Sequence, residues 1–390
     1  MIQLRALLVT AGAAACLLGM APSHAAGTPA SRALAQAQSR ASVNPPAGRM
    51  KGTIEGNLRV FKGIPYARPP VGQLRWKPPL PLPRWQGVRQ TTAFGPECFQ
   101  PASTFVSVYV EPPMPMSEDC LTLNIWAPAD AHDAPVFFWI YGGALWGGAS
   151  RDPLYDGARL AEHGVVVVSI NYRLGVLGWL AHPQLSAESP QGVSGNYGLL
   201  DQIAALKWVR RNIATFGGDP ANVTIAGESA GGLSVMYLMV SPEARGLFTK
   251  AIAESAYMIS MPSLKESKYG MPSGEEGGLR LAAALHASNI AALRAMDPLK
   301  LTNAAAAAAF GPWGTVDGHV LPEQMVTAFD KGDQAHVPIL AGFNSGEIRS
   351  LRVLAPPVPA SAAQYEKVIR DRYGPLAGEF LRLYPATNLE

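Results

Sequence analysis

Apolar and polar positions follow two periods along the chain, and the switches between them outline strands and helices. Short runs rich in Val, Ile and Phe, bounded by Gly, Pro, Asn or Asp, occupy residues 121–128, 136–141, 165–171, 223–227 and 337–343. Runs of that length and composition predict strands buried on both faces. Between them, residues 157–163 and 197–216 show helical spacing; in the second, Leu200, Ile203, Leu206, Val209 and Ile213 recur every three or four positions. Residues 233–238 continue directly from the fourth strand as a further helix. Strands alternating with helices predict an α/β fold, with a central, mostly parallel sheet flanked by helices. The stretch 61–72 is dense in Pro and Gly and predicts a rigid extended loop, and the alanine run 304–309 reads as helix filler. No internal repeat interrupts this pattern.

Composition narrows the class. Of 390 residues, 48% are hydrophobic and 16% charged, which excludes disorder, a collagen helix and a coiled coil. The net charge of +3 comes without any run of like charge, so the basic stripe of a nucleic-acid-binding surface is missing. Residues 1–25 have a cationic start at Arg5, an apolar stretch from Ala6 to Ala21 and small residues at Ser23-His24-Ala25. That is the layout of a secretory signal peptide and predicts a secreted or periplasmic protein. A lipid-anchored alternative at Cys16 is weakened by the poor match of Ala13-Ala14-Ala15 to a lipobox. Residues 26–50 read as a flexible tail, with structure expected from about Gly52, and residues 51–390 as the folded domain. No later stretch reaches the ~18 apolar residues of a membrane span. Beyond Cys16, the remaining cysteines are Cys98 and Cys120; an oxidising compartment lets them pair, the alternative being two free buried thiols.

The candidate chemistry centres on Gly227-Glu228-Ser229-Ala230-Gly231. The preceding residues 222–226 form a buried strand pattern and a helix follows, the strand-turn-helix context of a nucleophile elbow. A Gly-x-Ser-x-Gly motif outside such a context is often only a glycine-rich turn. Within it, Ser229 is expected at a helix N-terminus, where the backbone dipole favours developing negative charge. A serine hydroxyl also needs donors for an oxyanion and a base oriented by an acid. Tyr141-Gly142-Gly143-Ala144 follows the strand at 136–141 and offers backbone N–H groups, with Ala230 adding another; a plain glycine-rich bend is the alternative. Glu347 ends the segment after the strand at 337–343, at the sheet edge where α/β proteins hold ligands, although spacing does not separate a catalytic acid from a surface carboxylate. Gly-x-Gly-x-x-Gly after a strand, Gly-Lys phosphate loops and zinc motifs are absent, so neither a cofactor nor a metal is implied.

These residues resemble the type B carboxylesterases, the group of cholinesterases and fungal lipases with the α/β-hydrolase fold. The likeness runs from about residue 59 to the end of the chain. It rests on FKGIPYA at 61–67, SEDCLTLN at 117–124, NYRLG at 171–175, GNYGLLDQ at 195–202, FGGDP at 216–220 and GESAG at 227–231. The resemblance implies Ser229 as nucleophile, Glu347 as triad acid, and Gly143, Ala144 and Ala230 as oxyanion donors. It also implies a Cys98–Cys120 disulfide and a buried supporting role for Ser255, whose other reading is an ordinary polar residue at a strand end. The implied substrate is a small ester with an apolar acyl or alcohol part.

Two departures from the family pattern stand out. The family's catalytic histidine lies on a loop beyond the acid, whereas residues 348–390 contain none; the chain is therefore expected to be truncated, with low activity. His163 and His336 precede strands, which leaves them on the opposite sheet edge, ~20 Å away at ~3.3 Å per residue. His24 goes with the signal peptide, His132 lies in a turn, His286 in a helical pattern and His319 in Asp317-Gly318-His319, while His182 is expected to face solvent. The second departure is the lack of Trp between Cys98 and Cys120; cholinesterases use one there to hold a quaternary ammonium, so choline esters are not expected. Phe105 and Tyr109 would line an apolar gorge or simply pack the loop. The rival to an esterase is a non-catalytic cholinesterase-like binding protein; the within-class rival is a lipase, whose mobile lid is not identifiable.

Overall fold

A computed structural model describes residues 41–102, 114–268, 270–347 and 357–386. The signal segment, the first part of the tail, Phe105 and Tyr109 lie outside them.

The main sheet has eight strands. In chain order these are β1 (Thr53–Glu55), β2 (Leu58–Pro65), β3 (Thr122–Pro128), β4 (Ala134–Ile140), β5 (Val166–Ile170), β6 (Gly218–Glu228), β7 (Lys250–Glu254) and β8 (Ile339–Gly342). Across the sheet they run β8-β7-β6-β4-β5-β3-β2-β1. The five strands from β8 to β5 are mutually parallel, while β3, β2 and β1 join by antiparallel pairing. Every residue of β3 and β5 is buried, as expected of strands covered on both faces. The α/β-hydrolase arrangement implied by the sequence is the one observed.

The expected helix at 197–216 is α1 (Tyr197–Asn212), tightening into a 3-10 turn at Ile213–Phe216, and α2 (Ala230–Val240) follows β6. The segment expected as a helix at 157–163 makes one turn, Ala158–Ala161. The chain between β7 and β8 contains α3 (Gly274–Ala284) and α4 (Pro298–Ala307), and the alanine run closes α4. No helix among the described residues is long and apolar enough to cross a membrane.

Three expectations differ. Residues 58–65 form a strand rather than the start of an extended loop. Phe61 and Ile64 are fully buried there, and the register with β3 shifts between them, where Gly63 takes φ +68° and donates its N–H to Asn124 Oδ1 at 2.9 Å. Pairing with a distant strand overrode the local Pro and Gly signal, and Pro65, at the strand end, cost little. The tail is ordered earlier than expected: Ser42–Val43 and Arg49–Lys51 form a small sheet with Val88–Gln90, and Met50 is completely buried. Strand β7, KAIAE, was not foreseen, being too short and alanine-rich for a local signal.

The core is stiffened by a buried ion pair. Arg173 and Asp201 share a bidentate contact of 2.8 and 2.7 Å, and the Arg173 N–H also donates to Asp201 Oδ2. Burial opposes the guanidinium charge, but the Asp201 carboxylate outweighs it and raises the Arg173 pKa above its ordinary value.

Candidate active site

Strand β6 delivers Ser229 at its carboxyl end, directly before α2. Its backbone has φ +56° and ψ −121°, a conformation that costs a non-glycine residue about 1–3 kcal/mol and must be held by its surroundings. Two hydrogen bonds hold it: the Ser229 N–H donates to the Glu254 carbonyl at 2.9 Å, and the Leu233 N–H to the Ser229 carbonyl at 2.8 Å. The flanking glycines answer to space. A Cβ on Gly231 would lie 2.0 Å from the Ile140 carbonyl oxygen, and one on Gly227 2.5 Å from the Gly231 carbonyl. Only Cβ-free residues let α2 start this close to β4. Ser229 itself is half-buried.

The loop after β4 crosses this bend. A Cβ on Gly142 would sit 3.1 Å from the Ser229 Cβ and 2.7 Å from the Glu228 carbonyl oxygen. Gly143, Ala144 and Leu145 follow with φ +100°, +55° and +61°, a run of turn conformations of the kind that makes an anion-binding concavity from backbone N–H groups. Gly143 and Ala144 are exposed, while Ala230 opens α2 and so contributes one of the N–H groups that a helix leaves without an internal partner. Beneath the loop the Tyr141 and Tyr172 rings stack at 4.7 Å, and the Tyr172 hydroxyl donates to the Tyr141 carbonyl at 2.9 Å.

Glu347 stands just beyond β8. Its Oε1 accepts from the Ser255 hydroxyl at 2.6 Å and from the Asn344 N–H at 2.7 Å. Those bonds, the hydroxyl first, hold its carboxyl below the ordinary carboxylate range. Ser255 is half-buried rather than buried, and its own N–H donates to the Gly342 carbonyl at 2.7 Å. The carboxyl end of β7 therefore stitches the elbow, through Glu254, to the acid, through Ser255. Glu228, missed as a candidate although it is the second residue of the serine motif, has its pKa raised by burial and then by the neighbouring Glu347 and Glu254.

The histidines are placed elsewhere. His132, His163 and His336 precede β4, β5 and β8, on the sheet edge opposite Ser229. His286 and His319 are exposed. His182 is not solvent-facing as expected but buried, because its Nδ1 accepts the Gln184 N–H at 3.1 Å as the cap of Pro183–Ala187. Cys98 and Cys120 are bonded, with Cα atoms 5.0 Å apart across a separation of 22 residues.

The carboxylesterase family model matches residues 39–373. Fumonisin B1 esterase of Sphingopyxis macrogoltabida is 41% identical over 357 residues, covering 87% of this chain and 62% of that protein. Para-nitrobenzyl esterase of Bacillus subtilis is 42% identical over 309 residues, covering 77% and 61%. The chain thus spans about three fifths of the length of these relatives. Among solved structures, a PNB esterase superposes with a TM-score of 0.77 at 37% identity, covering 89% of this chain and 71% of that one. With the serine bend, the glycine loop and the sheet order all in place, the chain belongs to the carboxylesterase family.

Proposed function

We propose that the chain carries the nucleophile, acid and oxyanion elements of a serine carboxylesterase acting on small esters with an apolar acyl or alcohol part. Ser229 Oγ attacks the ester carbonyl, the N–H groups of Gly143, Ala144 and Ala230 receive the negative oxygen, and the alcohol leaves to give an acyl-enzyme that water hydrolyses. Glu347, kept ionised by Ser255 and Asn344, is positioned to orient a protonated base. The observation that carries this reading is the strained Ser229 backbone beneath the Gly142–Ala144 loop. The names of the relatives, esterases of fumonisin B1 and of a para-nitrobenzyl ester, support ester chemistry at this centre.

No base is assigned among the histidines of the chain. A serine hydroxyl without a base stays protonated, so its reaction with an electrophile is expected to be slow and to respond to added base. The test is labelling by a fluorophosphonate probe with mass mapping, in the presence and absence of added imidazole. Slow labelling confined to Ser229, accelerated by imidazole and abolished in Ser229→Ala, is the expected result. A folded protein that is not labelled under either condition would turn the reading toward a non-catalytic binding protein. Export belongs to the same proposal: the leader-like residues 1–25 and the Cys98–Cys120 bond both suit an oxidising compartment. N-terminal sequencing of the mature protein from expressing cells tests it, a start just after Ala25 being expected.

A further inference from the structure

The loop that carries Gly143 and Ala144 has to be held in a conformation its own residues disfavour, and the structure shows how its ends are held. Inside the loop, the Gly143 carbonyl accepts the N–H groups of Trp146 and Gly147 at 2.9 and 3.0 Å. At its far end, Ser150 donates its N–H to Asn171 Oδ1 at 2.9 Å. Between these points Gly148, at φ +106°, is gripped by one side chain on both of its backbone groups. Gln100 Oε1 accepts the Gly148 N–H at 2.8 Å, and Gln100 Nε2 donates to the Gly148 carbonyl at 3.2 Å. The primary amide therefore pairs with the backbone as a neighbouring strand would. The approach is close on purpose of geometry: a Cβ on Gly147 would lie 3.0 Å from Gln100 Oε1, and one on Gly148 2.6 Å from the Tyr141 ring.

The grip is itself anchored. Gln100 lies two positions after Cys98, so its backbone is tied to Cys120 by the disulfide. Its Nε2 also reaches Glu97 Oε2 at 3.4 Å, which fixes which end of the amide faces which partner.

We infer that Gln100 is a positioning residue for the oxyanion loop, acting through Gly148 to hold the N–H groups of Gly143 and Ala144 where negative charge develops. The inference rests on the esterase reading above, and predicts that loosening the grip harms the reacting state while leaving initial binding alone. Loss of one whole oxyanion donor costs on the order of 100-fold or more in rate, so displacing such donors without removing them should cost about tenfold.

The test compares wild type, Gln100→Met and Gln100→Glu. Met keeps the bulk and removes both hydrogen bonds; Glu keeps the acceptor for the Gly148 N–H but loses the donor. Two readouts are taken. In the first, fluorophosphonate labelling forms the Ser229 Oγ–phosphorus bond as the phosphorus–fluorine bond breaks, with proton and fluoride released to solvent, and is analysed as probe affinity and maximal rate separately. The expected result is a maximal rate about tenfold lower in Gln100→Met at unchanged affinity. Gln100→Glu should partly recover on acidification, as its carboxyl regains a proton beside Glu97, a carboxyl itself raised by burial and by Asp152 and lowered by Arg151. In the second, amide hydrogen exchange of residues 143–148 should quicken in Gln100→Met while residues 223–233 keep their protection. Equal rates and equal exchange in wild type and Gln100→Met would overturn the inference, as would a loss of probe affinity matching the loss of rate. Wild type that is not labelled, with exchange still quickened in Gln100→Met, would overturn the esterase reading but leave the loop-holding role standing.

Discussion

The two halves of the main sheet are built on opposite terms. On one, β3 and β5 have every residue buried, the Arg173–Asp201 pair is sealed in the adjoining core, and the disulfide ties down the loop that grips Gly148. On the other, β8 has every residue exposed, with Leu340 at 68% and Phe343 just beyond it at 80%. A parallel strand is ordinarily covered on both faces; β8, which ends the strand order among the described residues, has none of its residues buried. The site straddles this contrast. Ser229 and the glycine loop at 142–145 stand on the buried centre, whereas Glu347 hangs from the exposed flank by its bonds to Ser255 and Asn344. The serine bend is thus set by rigid packing, and the Glu347 carboxyl by a few local hydrogen bonds.

Substitutions should register that contrast. The largest effect is expected from Asp201→Ala, which strands the fully buried Arg173 charge: about 3–5 kcal/mol of stability lost, read by urea unfolding. A loss within the range of surface substitutions would mean that the buried flank is not the rigid one. Next, Cys98→Ser with Cys120→Ser should cost about 2–4 kcal/mol, the usual contribution of a bridge closing a loop of this size, and should also quicken exchange at Gly148. Ser255→Ala tests the exposed flank. Because hydrogen bonds lower the folded-state pKa of Glu347, its contribution to stability is present above the unfolded pKa and fades as pH falls through the folded one. Removing the hydroxyl should therefore move the Glu347 titration upward toward the ordinary carboxylate range, as followed by NMR, with the thermal midpoint nearly unchanged. Smallest of all, Leu340→Ser should change stability by no more than about 0.5 kcal/mol, read by urea unfolding. A large stability loss there would show that β8 is buried in solution and dissolve the contrast.

The elbow was legible from the chain because its signal is local. Strand pattern, two glycines at fixed spacing and helix pattern lie within some twenty consecutive positions. The strands at 121–128 and 165–171 were equally plain, since burial on both faces leaves a mostly apolar run. Residues 58–65 were misread because Pro and Gly describe local backbone freedom, and the register with β3 comes from residues some sixty positions away. His182 looked like a loop histidine until the cap it forms on Gln184 was seen. Gln100 had no signal at all: a lone glutamine in a loop acquires its partner only when Gly148 is folded against it.

Consecutive residues were enough to establish the α/β class, the serine at its turn and the glycines beside it, because each is encoded in spacing over a few positions. Which carbonyl holds the strained serine, which hydroxyl lowers the Glu347 carboxyl, and which amide grips the glycine loop depended on contacts across 25 to 92 positions of chain. Such contacts carry no trace in local periodicity, since they form only after the parallel strands have aligned their carboxyl ends at one edge.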